Sequence, residues 1–131
     1  YGTGEGLCGW NCRHSFGPGD LRHNPYAQFD AEENKKAFDL SQKQRGKESR
    51  IRRTKTKLVG LRTAIEAAED AGVKATLEAQ YTRTAKLLEK QNLDYNQFCE
   101  DNGLKRLSDR IQIAKWTRED ARKSIAAARS K

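Results

Sequence analysis

Two apolar stripes with the same period constrain this chain more than anything else in it. In the first, Ile51, Thr54, Leu58, Leu61, Ile65 and Ala68 step by alternating threes and fours. In the second, Leu77, Tyr81, Thr84, Leu88, Gln91, Tyr95 and Phe98 keep that rhythm. This is heptad spacing, which places every member on one face of a helix. Between the stripes lies Asp70-Ala71-Gly72, and glycine tolerates the left-handed conformation that ends a helix, so Gly72 is the expected reversal point. Each stripe is costly in water, and a short turn brings the two together as an antiparallel pair. The competing arrangement is one unbroken helix with a partner from another chain, because a mid-helix glycine costs only about 1 kcal/mol. The expected fold is therefore all-α: a long antiparallel helical hairpin over 31–103, an irregular Gly-rich segment over 1–30, and short C-terminal helices over 104–131.

Composition agrees with an extended pair rather than a sphere. Of 131 residues, 35% are hydrophobic and 34% charged, a thin supply for a globular core. An arm of roughly 40 residues would reach about 60 Å at the helical rise per residue. The net charge of +8 favours an anionic partner such as nucleic acid. No run has the apolar length of a transmembrane helix, and no signal peptide pattern is present. Three cysteines, an odd number, argue against a secreted disulfide framework. The chain has no methionine and starts at Tyr1, as expected of a fragment of a longer protein.

The first 30 residues differ in kind. Six glycines with Pro18 and Pro25 forbid a long helix, yet Leu7, Trp10, Phe16, Tyr26 and Phe29 are large and apolar. Such a segment is expected to pack on an upstream domain, with the helical pair as the alternative. Cys8, Cys12, His14 and His23 are the candidate metal ligands, since thiolates and imidazoles can close a zinc tetrahedron. Their spacing lacks a standard second ligand pair, and small buried cysteines with a backbone-bonded histidine are the plainer expectation. A nucleophilic Cys12 with His14 as base has no third group to orient it, so no catalytic residue is assigned.

Local signals subdivide the rest. Asp30-Ala31-Glu32-Glu33 reads as a capped helix start. Ala37, Phe38 and Leu40 are expected to make the first arm's early apolar contacts, and Gly46 to mark a bend. Arg45, Lys47, Arg50, Arg52, Arg53, Lys55 and Lys57 form a basic run opposed only by Glu48. They are the candidate nucleic-acid-binding residues, through phosphate contact with counterion release; the alternative is a solvated face whose long side chains shield the seam. Asn102-Gly103 should stop the second arm. Leu104, Leu107, Ile111 and Ala114 suggest a short further helix, and Thr117-Arg118-Glu119-Asp120 another start, leading to a last helix with Ala121, Ile125 and Ala128. Trp116 at the corner is the expected anchor between arm and tail. No phosphate loop, metalloprotease motif or known nucleic-acid module is present.

Three stretches together resemble the carboxy-terminal part of the phage minor capsid protein 2 family. Residues Gly6-Leu7-Cys8-Gly9-Trp10-Asn11-Cys12-Arg13-His14-Ser15-Phe16 are similar to the family's Gly-x-Asn-Cys-Arg-His-Ser-Phe signature. Leu40-Ser41-Gln42-Lys43-Gln44-Arg45, with Glu48, Arg50, Ile51 and Arg52, is similar to its helix opening, and Phe98-Cys99-Glu100-Asp101-Asn102-Gly103-Leu104 to its closing motif. After Phe16 the chain departs from the pattern with Gly17-Pro18-Gly19. The resemblance implies a structural head protein of a tailed phage, made in the bacterial cytoplasm and resident in the virion. It implies portal or capsid proteins as partners; the basic surface adds packaged DNA as a candidate contact, and neither a membrane nor a cofactor is expected. Self-association is left open. It also implies an upstream head-morphogenesis domain like that of Mu F, ending near Trp10 to Phe16. A nucleic-acid-binding module without a virion role, and an enzyme or toxin fragment using Cys12 and His14, are the alternatives from other classes.

Overall fold

The structure, a computed structural model, describes residues 30–130. It holds α1 (Ala31–Ala67), α2 (Ala71–Asp101), a 3-10 turn (Ser108–Ile111) and α3 (Arg118–Arg129), with no strand among the described residues. The chain divides into two units between Asn34 and Lys35, and the second carries the core formed by the described residues.

Asp30 opens α1 by accepting from the Glu32 amide at 3.0 Å, as its side chain is placed to do. The helix then runs unbroken to Ala67, through Gly46. A side chain at Gly46 would point into open space, and one glycine's propensity cost is too small to break a helix of 37 residues. The early apolar contacts are not made as expected. Phe38 is 61% exposed, and the first buried residue of α1 is Gln44.

From Gln44 onward the seam is buried. Ile51, Thr54, Leu58 and Leu61 of α1 pack toward Thr84, Leu88 and Tyr95 of α2. The pairing is antiparallel. Gln44 reaches Cys99, Glu48 reaches Tyr95, and the Thr54 hydroxyl donates to Gln91 Oε1 at 2.6 Å, so partners advance in opposite directions. Burial fades toward the turn, where Ile65, Ala68 and Leu77 are half-buried.

The reversal occupies residues 68–70, not Gly72. Asp70 is the N-cap of α2, with extended backbone (φ −83°, ψ 127°), and its carboxylate accepts from the Gly72 amide at 3.2 Å. A capping aspartate supplies the missing acceptor without any left-handed residue, so Gly72 is free to be helical. The left-handed glycine among the described residues is Gly103 (φ 63°), where α2 stops as expected. The Asn102 amide donates to Phe98 O, Gly103 N to Glu100 O and Leu104 N to Cys99 O, closing the helix end.

Residues 104–117 do not form the expected further helix. They make a strap with a single 3-10 turn, running back along the hairpin. The Lys105 carbonyl accepts from Gln44, that of Arg110 from Arg52, and that of Ile111 from Lys55 at 2.8 Å. These side chains satisfy strap carbonyls that a helix would have satisfied internally. The strap delivers Thr117, which caps α3 in a full capping box with Asp120. Arg62 of α1 pairs with the buried Asp120, and Arg129 approaches Glu89 at 3.6 Å, so α3 lies on the hairpin parallel to α2. Ile111 and Ala128 thereby join Ile51, Leu58, Ala85, Leu88, Tyr95 and Cys99 in one core, with Trp116 packed against it as the expected anchor. In α3, Asp120, Ser124 and Ala128 face inward, while Ile125 is 48% exposed.

Candidate functional site

The hairpin has two unlike sides. On α2, Ala85 and Asn92 border the groove shared with α3 and the strap. Leu87 and Asp94, each two residues further on, are turned about 200° around the helix at 3.6 residues per turn. They border a shallow groove lined by α1 and α2 alone, which Lys47, Arg50, Lys90 and Gln91 complete. A second shallow groove continues it, with Gln42, Lys43, Gly46, Lys47, Arg50 and Phe98. Lys47 and Arg50 are common to both, so the two form one basic channel along the side away from α3.

The seven candidate cations separate into distinct environments. Lys47 is half-buried, 2.5 Å from Asp94 and 5.1 Å from the Phe98 ring centre. Arg52 donates to the Arg110 carbonyl. Lys55 is buried, bonded to the Ile111 carbonyl, with its Nζ 5.4 Å from the Trp116 ring centre. Burial, and secondarily the Arg106 charge, hold Lys55 below the ordinary lysine range. These three therefore brace the hairpin and strap. Arg45, Arg50, Arg53 and Lys57 are exposed. Arg50 faces the channel. Arg45, five residues earlier, is rotated from it by about 140°.

Sequence reasoning passed over two cations that the structure adds. Lys43 lines the channel one heptad before Arg50, with Lys57 one heptad after, so the three share a face at steps of about 10.5 Å. Lys90 enters from α2. The heptad interval of Lys43 was visible in the sequence; the approach of Lys90 depends on the register of the hairpin. The acid lining the channel, Asp94, is held by Lys47.

A buried polar cluster sits inside the seam, level with Lys47 and Asp94. Tyr95 Oη donates to Glu48 Oε1 at 2.9 Å and accepts from the Leu107 amide at 3.3 Å and from Gln44 Nε2 at 3.5 Å. Arg110 lies 3.7 Å from the same Glu48 carboxylate. Burial, reinforced by that carboxylate, pushes the Tyr95 hydroxyl above its ordinary range. This cluster ties α1, α2 and the strap together, with Tyr95 and Glu48 fully buried. Cys8, Cys12, His14 and His23 lie outside the described residues. Among the described residues, no group of three or more histidine, cysteine or acidic side chains is placed to hold a metal ion. No helix of the described residues is long and apolar enough to cross a membrane.

Two unlike surfaces flank this braced, all-helical hairpin. The profile of the phage minor capsid protein 2 family matches residues 1–93, and the chain belongs to that family. Membership supports a structural role in a phage. Searches among curated proteins and among solved structures returned no match to the chain.

Proposed function

We propose that the chain is a non-enzymatic helical arm of the phage head, which holds portal or capsid proteins through the sides of its hairpin and touches packaged DNA through its basic channel. The virion is its place of action. The observation that carries the DNA contact is the alignment of Lys43, Arg50 and Lys57 at heptad intervals, joined across the groove by Lys90. Regularly spaced cations along a channel suit a polyphosphate strand, whose binding is driven by counterion release and carries no sequence preference. Aromatic side chains are scarce in the channel, Phe98 being engaged by Lys47, so the surface suits a duplex backbone better than stacked single-strand bases.

The test is duplex DNA binding by the full chain across a salt series. Affinity should fall linearly on logarithmic axes, by about 0.9 of a log unit per log unit of salt for each phosphate neutralised. Arg50→Glu and Lys90→Glu should each weaken binding at low salt and flatten that slope. Salt-independent binding, or a slope unmoved by both variants, would remove DNA from the reading. Co-sedimentation with purified heads tests the protein contacts separately. Family membership favours this reading over a nucleic-acid-binding module that works outside a virion.

A further inference from the structure

The side of the hairpin that carries α3 holds a groove of about 500 Å³. Its floor is core: Leu88, Ile111 and Ala128. Its rim is apolar and open, with Leu93 65% exposed and Ile125 48% exposed. Toward the strap the lining turns cationic, with Lys55 and Arg106.

Lys55 is the telling group. It is only 6% exposed, yet the described residues offer its ammonium one oxygen, the Ile111 carbonyl. An ammonium carries three donors. Neither Lys55 nor Arg106 takes part in an ion pair among the described residues. The acid in the groove lining, Glu89, stands 3.6 Å from Arg129. A buried cation without a counter-charge is costly, and an arriving carboxylate relieves that cost only if it comes on a body that also excludes water. The Trp116 ring face beside Lys55 and the apolar floor provide for such a body.

We propose that this groove is a docking site for a short acidic–apolar segment of a partner protein, with a carboxylate set between Lys55 and Arg106 and an adjoining aliphatic or aromatic side chain seated on Leu88, Ile111 and Trp116. The proposal deepens the protein-contact part of the function above and rests on it. A space of this size lies in the range of small-ligand pockets, so it takes a few side chains rather than a whole helix. The apolar rim at Leu93 and Ile125 extends the contact beyond the pocket, as a peptide requires. Nucleic acid does not fit here, because its phosphates would face the apolar floor.

The probe is a set of short, overlapping, fluorescein-labelled peptides covering the portal and major capsid proteins of the same phage, titrated with the full chain by fluorescence anisotropy. Peptides with an acid beside a large apolar residue should bind. Replacing that acid by its amide should weaken binding about tenfold or more, the effect of losing one charged contact. Arg106→Gln and Leu93→Asp should do the same; both positions are exposed, so melting should stay unchanged. Arg53→Gln, on the outside of α1, should leave binding intact. Absence of binding by every peptide, equal binding of acid and amide, or indifference to both groove variants overturns the proposal. Saturable binding of dodecanoate in place of peptides, or a dimer of the chain broken by Leu93→Asp, overturns it in favour of an amphiphile or a second copy. A chain that co-sediments with heads equally well with and without Leu93→Asp retains the structural role and loses this site.

Discussion

Tyr95 is where α1, α2 and the strap are tied together, and a single hydroxyl does the tying. Its partners Glu48 and Gln44 belong to α1, and the Leu107 amide belongs to the strap. Tyr95→Phe leaves Glu48 buried with only Arg110 nearby, and should cost about 1–3 kcal/mol in urea denaturation near neutral pH. The pH dependence has a definite sign. Tyr95 in the folded chain holds its proton above the unfolded value, so the folded state binds more protons in that window. Its contribution is full below the unfolded pKa of about 10 and is lost as pH rises from there through the folded value. The penalty of Tyr95→Phe should therefore shrink above that pH; a penalty constant across the alkaline range would contradict the assignment. Lys55 acts in the opposite sense, since its lowered pKa makes stability rise with pH between its folded value and 10.5. The periodicity placed Tyr95 on the seam. Its hydroxyl's partners were illegible, because they lie 12 to 51 residues away and come from elements whose register only the fold sets.

At the scale of elements, the hairpin rests on its seam and its two ends. Leu58 is 1% and Leu88 4% exposed, so Leu58→Asp or Leu88→Asp buries an unpaired carboxylate at a cost of several kcal/mol, comparable with the stability of a small domain. Circular dichroism should show collapse of the helical signal; unchanged melting would mean the seam is not what holds the arms. The two glycines at the helix ends should respond oppositely. Gly72 is helical, and a methyl group there would meet Asp70 carboxylate oxygens at 3.7 and 3.8 Å, ordinary contact distances. Gly72→Ala should raise stability by about 0.4–1 kcal/mol through the unfolded chain's entropy. Gly103 has φ 63°, and Gly103→Ala should lower stability by about 1 kcal/mol. A loss at Gly72 matching that at Gly103 would restore it as the turning residue. Both sites carry a similar signal, a glycine within two residues of a short polar side chain, Asp70 or Asn102. What separates them is whether the neighbouring Asp70 caps forward onto α2. The capping box at Thr117 was legible for the opposite reason, since both of its partners lie within three residues.

For the whole molecule, the tail completes the core. The strap and α3 bring Ile111, Ala128 and Trp116 onto the hairpin and bury Asp120 against Arg62. A chain ending at Gly103 should melt well below the full chain and bind a hydrophobic dye, since Leu88 and the flank of Ile51 and Leu58 would face water. Equal melting points would make the tail an appendage. By itself, the amino-acid order determined the all-helical class, the two stripes, the caps and the family, because helix periodicity, capping and motifs are local in the chain. Only the tertiary structure decided which cations brace and which face outward. Lys55 and Arg52 are spent on strap carbonyls, while Lys43, Arg50 and Lys90 meet across the open side. A charge run has the same appearance in either role. What distinguishes them is the acceptor opposite each side chain, and that acceptor arrives from some 40 to 60 residues away when the chain folds back.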